Sequence, residues 1–482
     1  MEQKGPFSAT VVIVGSGLSG LATAACLADR HIDAVILERD DTFAPLWRYR
    51  TYDRLHLHLP KKYCELPLLP HPPSAPNFLP VADFIRYLET YSAAFGLERL
   101  LRLHRRVDSA EFDTAAGRWR IAAVNLDSGE AEEYEALFLV VATGENDEPV
   151  VPTDIPGLDR FEGKAIHSCR FRSGKEYEGL DVLVVGSGNS GMEIACDLSH
   201  SGARASIVVR SPLHIVTKEI YSFALVLLRV LPMSLVDSVI LFLCYLWFGN
   251  TSKYGLHRPS KGPLYLKENT PIYPVVDVGT YAKIKSGDIK VIPSVLDIEG
   301  KNVVFENGKQ QRFDVIILAT GYKSNVKRWL KGDAYLIGED GMAKQMYPNH
   351  WKGRNGLYCS GLIRKGIYGS TADAINIADD ISLDVQSRIK DKGEVQNRGK
   401  KLKQKKIRRR KGGAGLPFAH ISDGGSPSAA ASYLAPADGY RDSDIEIEIE
   451  IAIEIERATS ETYRWSPKFR PHVTIAEGAP VV

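Results

Sequence analysis

The chain has 482 residues, enough for two or three domains at roughly 150 residues each. Its hydrophobic (44%) and charged (25%) fractions exclude a fibrous repeat or wholesale disorder. The formal net charge of +2 averages opposite segments and says little about partners; the six cysteines, at 26, 64, 169, 196, 244 and 359, lie too far apart for a zinc knuckle or a CxxC redox pair.

The N-terminal "MEQKGPFSAT" lacks the pattern of a signal peptide, so a reducing, cytoplasmic setting is expected, with the cytosolic face of the endoplasmic reticulum as the alternative. The first predicted elements are a strand "TVVIVG", a glycine turn, a helix "LSGLATAACLADR" and a strand "DAVILER". Short apolar runs alternating with helix-period stretches indicate parallel βαβ units. Gly15, Gly17 and Gly20 have GxGxxG spacing between strand and helix. Such a turn brings the backbone close to a pyrophosphate, and the helix N-terminus supplies N–H groups for the anion. Glu38 follows Gly15 by twenty-three positions, at the end of the second strand, where an acid accepts hydrogen bonds from ribose hydroxyls. His56 and His58 then alternate with Leu55, Leu57 and Leu59, which predicts both imidazoles on one face, bordering either a flavin or solvent.

Two later strands, in "LFLVVATGEN" (137–146) and "DVIILATGYKSN" (314–325), each end in Ala-Thr-Gly a little over a hundred residues beyond a glycine turn. A linker, "NDEPVVPTDIPG", separates two similar halves. The second half opens on "DVLVVGSGNSGMEIACDL", with Gly186, Gly188, Asn189 and Gly191 in the turn. Where Glu38 would have its counterpart stands Arg210, followed by Ser211; a guanidinium pairs with a phosphate, so this copy suits the 2′-phosphate of NADPH.

Residues 220–249 are mostly apolar, but Arg229, Pro232 and Asp237 interrupt them. Two packed helices joined near Pro232 are expected in place of a membrane span, with a greasy surface resting on a membrane as the alternative. After residue 388 the character changes. Residues 390–411 hold twelve basic and two acidic side chains, and "DSDIEIEIEIAIEIER" follows a Gly, Ser, Pro and Ala rich stretch. A disordered low-complexity tail is expected there.

Two cradles of opposite taste, one for free ribose hydroxyls and one for NADPH, make FAD the economical first ligand, because hydride passes from nicotinamide to isoalloxazine. Without a cysteine pair to receive the electrons, oxygen is the natural acceptor, and a monooxygenase is the leading class. The expected fold is α/β, with two Rossmann-like dinucleotide-binding domains and a tail. The FAD domain comprises residues 8–155 and a return segment 314–388, the NADPH domain 156–313 is inserted between them, and 389–482 form the tail.

The two glycine turns, "FEGKAIHSCRF" (161–171) and the paired ATG strands resemble the flavin-dependent monooxygenases, with Phe161, Gly163 and His167 matching their FxGxxxH signature. Within them the chain is most similar to the plant YUCCA enzymes, through "LWRYRTYDRLHLHLPKKYCELPLLP" (46–70), "ATGENDEPVVP" (142–152), "VVGSGNSGMEIACDL" (184–198) and "ILATGYKSNV" (317–326). The resemblance spans roughly residues 8–388. Phe171 stands where the signature has Tyr, which keeps ring packing and loses a hydroxyl; Leu18 replaces a smaller residue in the first turn. The resemblance implies an auxin-forming enzyme that converts indole-3-pyruvate to indole-3-acetate with NADPH, FAD and O2 through a C4a-peroxyflavin. It implies Trp47, at the "LW" position, against the flavin, and His167 ordering the linker between cofactors or serving structure alone. No side chain is assigned as a general base, and neither a metal nor a nucleic acid is expected. A nitrogen- or sulfur-oxygenating flavin monooxygenase and an inactive nucleotide-binding regulator remain the alternatives.

Overall fold

In the computed structural model, which describes residues 5–411, the first apolar run is strand β1 (Phe7–Val14). The glycine turn leads into helix α1 (Leu18–Asp29), and strand β2 (Ala34–Leu37) follows. A short helix α2 (Pro45–Tyr49) and the longer α3 (Val81–Ala94) come before β3 (Leu101–Arg102), β4 (Arg105–Asp113), β5 (Arg118–Asn125) and β6 (Ala131–Val141). The first sheet runs β3-β2-β1-β6-β5-β4. Its β1 lies parallel to both β2 and β6, whereas β4, β5 and β6 form an antiparallel meander. Val11, Val12 and Ile13 of β1 are wholly buried, as a strand covered on both faces must be. Each such side chain contributes about 1.5–3 kcal/mol relative to exposure.

The chain then crosses through β7 (Glu148–Pro149) into a second sheet. Its members are β8 (Lys164–His167), β9 (Asp181–Val185), β10 (Arg204–Val208), β13 (Ile289–Ile292) and β17 (Val315–Leu318), after the intervening pair β11 (Ile215–Val216) and β12 (Val275–Val276) and the antiparallel β14 (Val295–Glu299), β15 (Asn302–Phe305) and β16 (Gln310–Arg312). The order β13-β10-β9-β17-β8 is parallel throughout. Helix α4 (Asn189–His200) opens at the second glycine turn. Strand β18 (Tyr322–Lys323) then pairs with β7, so the outgoing and returning linkers run side by side. After the short helix α9 (Val326–Trp329), β19 (Leu357–Cys359) rejoins the first sheet beside β6. The first domain is discontinuous and the second inserted, as the sequence predicts.

One boundary is corrected. The second ATG strand, assigned above to the return segment from residue 314, belongs to the inserted sheet: Val315–Leu318 pair with β8 on one side and β9 on the other and are buried on both faces. The strand that closes the first domain is β19, which a three-residue apolar run could not announce.

The segment 218–269 forms three helices, α5 (Lys218–Leu227), α6 (Met233–Phe248) and α7 (Pro263–Asn269), before α8 (Thr280–Ser286). Pro232 is the N-cap of α6, as the interruption predicts. Buried Asp237 accepts hydrogen bonds from the N–H groups of Leu264 (2.8 Å) and Tyr265 (3.0 Å), so one α6 carboxylate caps α7. Val236, Ile240, Cys244 and Phe248 face the core, while Phe242, Leu246 and Trp247 remain 61%, 65% and 71% exposed. Among the described residues, no helix is long and apolar enough to cross a membrane.

The last helix, α10 (Gly366–Lys411), runs past the expected boundary at residue 388, so the basic stretch 390–411 is helical and not irregular. A second unit begins at Lys403; its described part is the end of this helix. The expectation for the remaining tail, including the Ile-Glu repeat, lies outside the described residues.

Candidate cofactor sites

Both glycine turns are built on one plan. Gly15 (φ 102°) and Gly186 (φ 111°) occupy the left-handed region, and a Cβ on either would sit 2.6 Å from the Ala142 carbonyl oxygen or 2.4 Å from that of Ala319. Those alanines belong to the two ATG phrases, whose strands lie beside β1 and β9. A Cβ on Gly20 or Gly191 would fall 2.0 or 1.9 Å from the carbonyl oxygen of Gly15 or Gly186, so these two glycines let each helix close onto its turn. Gly17 and Gly188 differ, since a Cβ on either meets no protein atom within 4 Å. They face open space at a helix N-terminus, where an anion belongs.

The first turn opens into a cavity of about 530 Å³, lined by Gly15, Gly17, Glu38 and Trp47 among others. Glu38 is 6% exposed. One of its carboxylate oxygens accepts from the Ser16 N–H (2.8 Å) and hydroxyl (2.7 Å), and the other from the Asp40 N–H (2.9 Å). Burial pushes its pKa up, against the pull of these hydrogen bonds. The Ala44 N–H donates to the Ser16 carbonyl (2.9 Å), which anchors α2 on the glycine turn. Trp47 on that helix packs edge-on against Phe84, ring centroids 4.7 Å apart, and lines the cavity.

Sequence reasoning missed much of this wall. Thr143, Asp147 and Asn325 line the cavity, and each has a buried oxygen without a hydrogen-bond partner. Buried polar atoms are nearly always paired, so three orphans on one wall point to a polar ligand. Arg39 reaches the other Asp147 oxygen at 2.6 Å. Thr143 lies within the first ATG phrase and Asn325 at the end of the second, and nothing in either phrase foretold that both would line one cavity. Cavity, open glycine and orphaned oxygens fit a dinucleotide.

In the second cradle, Arg210 and Ser211 follow β10 and are exposed. The guanidinium stands 3.9 Å from the Asp154 carboxylate, with both side chains largely in water. The Asn189 side-chain amide donates to the Pro274 carbonyl (3.2 Å) and accepts from the Val276 N–H (2.8 Å), so it braces β12 against α4 at the mouth of the turn.

His167 is 7% exposed. Its Nε2 donates to the Gly321 carbonyl (3.1 Å), and its Nδ1 accepts from the Cys169 N–H (3.2 Å). This neutral imidazole ties β8 to the returning linker, and burial lowers its pKa. Phe171 is wholly buried against Tyr177 and Tyr52, so the ring does serve packing. His56 and His58 do not line the cavity at the first turn. His56 borders a separate polar cleft with Arg54, Glu193 and His200, and His58 lies 3.4 Å from Glu193 on α4. Residues 55–59 form only an isolated bridge, so the strand alternation never develops.

The model of the flavin-binding monooxygenase-like family matches residues 8–377. The chain belongs to this family. As a flavin monooxygenase it works with FAD and NADPH, in keeping with the two cradles. It is 48% identical over 382 residues to "Indole-3-pyruvate monooxygenase YUCCA1" of Oryza sativa subsp. japonica, covering 78% of this chain and 92% of that protein. It is 46% identical over 377 residues to "Indole-3-pyruvate monooxygenase YUCCA6" of Arabidopsis thaliana, covering 77% and 89%. Among solved structures, a flavin-containing monooxygenase from Stenotrophomonas maltophilia superimposes with a TM-score of 0.58 at 20% identity, covering 78% of this flavin monooxygenase and 99% of that chain. An oxidised steroid monooxygenase bound to NADP gives 0.62 at 18%, covering 79% and 86%. The last two establish the fold.

Proposed function

We propose that this flavin monooxygenase converts indole-3-pyruvate to indole-3-acetate, a step of auxin biosynthesis. The 2-oxo acid, O2, NADPH and a proton yield the shortened acid, CO2, NADP⁺ and water. The reading is carried by the identity to indole-3-pyruvate monooxygenases over about nine tenths of their length. It is supported by two cradles that each retain the glycines, the close backbone approach and the charged strand-end residue.

Bound FAD would supply hydride acceptance and the activation of oxygen. The chain's own residues hold the reactants. Gly15, Gly17 and Gly20 shape the turn for the FAD pyrophosphate, Glu38 receives a ribose hydroxyl on its remaining lone pairs, and Trp47 packs against the flavin. Gly186, Gly188 and Gly191 do the same for NADPH, with Arg210 and Ser211 on its 2′-phosphate. His167 keeps the linkers between the two sites in register and handles no proton.

Purified enzyme given NADPH and indole-3-pyruvate labelled in its carboxyl group tests the reading. Release of labelled CO2 with one equivalent of indole-3-acetate is expected. NADPH-driven oxygenation of a thioether with no CO2 from the 2-oxo acid would overturn it.

A further inference from the structure

We infer that Lys267 binds the carboxylate of the substrate at the lip of the flavin cavity, an assignment that rests on the 2-oxo acid reading above. Lys267 sits on α7, half-buried. Its ammonium donates to the Tyr221 hydroxyl on α5 at 2.8 Å and lies 5.4 Å from that ring's centroid. It forms no ion pair with a carboxylate among the described residues. Its neighbours do: Arg364 pairs with Asp340 at 3.2 Å and Lys365 with Glu268 at 3.9 Å. A cation partly withdrawn from water, whose direct partner is the Tyr221 side chain, recovers its solvation cost when an anion arrives.

Place in the fold says which anion. The Glu268 contact ties α7 to Lys365, next to Gly366, which lines the flavin cavity. The Tyr273 hydroxyl, just beyond α7, donates to the Arg364 carbonyl at 3.3 Å and closes the same lip. Glu145 faces the cluster from the cavity wall, where the charges of Arg364 and Lys267 both bear on it. Burial pushes the Glu145 pKa up, against the pull of Arg364 and Lys267. The phosphates of both coenzymes have cradles of their own, at Gly17 and Gly188. The anion left for this position is the carboxylate next to the reacting carbonyl, and the exposed Tyr273 offers a ring against which an indole packs.

The test uses flavin-loaded full-length enzyme and Lys267→Met, with Lys267→Gln as the variant that keeps length and a donor for Tyr221. Indole-3-acetate and its neutral amide are titrated against the flavin spectrum, and KM for indole-3-pyruvate is measured beside the anaerobic rate of flavin reduction by NADPH. Both variants should lose the preference for acid over amide and raise KM on the order of 10- to 100-fold, with the reduction rate unchanged. An intact preference in either folded variant overturns the assignment, and so does an equal loss of NADPH affinity, which would give Lys267 to the coenzyme. If wild type shows the lysine-dependent preference but releases no CO2 from indole-3-pyruvate, the carboxylate site stands and the proposed reaction falls.

Discussion

Ser16 and Glu38 are locked together across the head of the first cradle: the backbone N–H and the hydroxyl of Ser16 both donate to one Glu38 oxygen, at 2.8 and 2.7 Å. The acid thus orders the glycine turn before any ribose arrives. Glu38→Ala leaves the N–H groups of Ser16 and Asp40 without acceptors, at about 1–3 kcal/mol for each buried group. The variant should melt earlier and purify nearly colourless. Flavin absorbance per protein and a melting curve check this; a fully yellow variant would show that Glu38 does not serve FAD.

The six cradle glycines divide into two behaviours. Gly20→Ala drives a methyl 2.0 Å from a backbone oxygen and should disrupt folding, whereas Gly17→Ala points into open space from an extended backbone any residue adopts. The Gly17 variant should keep its melting temperature without ligand and bind flavin at least about tenfold more weakly, since its methyl occupies the anion's position. Normal flavin affinity in Gly17→Ala would move the pyrophosphate elsewhere.

Arg210 stands free in water apart from a long contact to Asp154, so its removal should barely touch stability. With Arg210→Ala, KM for NADPH is expected to rise on the order of 10- to 100-fold through loss of a charge-assisted contact to the 2′-phosphate, while KM for NADH stays within about twofold. An equal rise for both coenzymes refutes the role.

Three buried histidines set an acid limit. His71, His167 and His214 each have a pKa held below 6.5, chiefly by burial, and each bonds a backbone carbonyl as a neutral ring. The unfolded chain takes up these protons at a pH where the fold still excludes them. Their contribution is therefore complete above pH 6.5 and is lost as pH falls toward the lowered values. Melting temperature should be level near about pH 7.5 and drop by about pH 5.5, less steeply in His167→Asn; a flat profile contradicts the assignment.

Much of the site was legible because its geometry is local. A GxGxxG turn, the helix it starts and the residue closing the next strand span fewer than about thirty positions, so neighbours in sequence are neighbours in space. Glu38 follows β2 and Arg210 follows β10, as that spacing implies, whereas Trp47 was singled out by the resemblance alone. The bracing bonds of Asn189 to Pro274 and Val276 were not legible, because those partners lie more than eighty positions further along the chain. Asn325 lay in the second ATG phrase with nothing to place it on the first cavity, and Lys267 carried no pattern at all, since each reaches its place through elements far along the chain.

By itself, then, the sequence determined two glycine turns, the oppositely charged residues that follow their second strands and the α/β class, because backbone sterics and strand periodicity act over a few residues. Tertiary structure decided that Val315–Leu318 close the second sheet and Leu357–Cys359 the first, that His56 and His58 turn toward α4, and that Lys267 meets Tyr221 across α7 and α5. The strand choices pair segments far apart along the chain, and shared burial selects among partners that local patterning leaves equivalent.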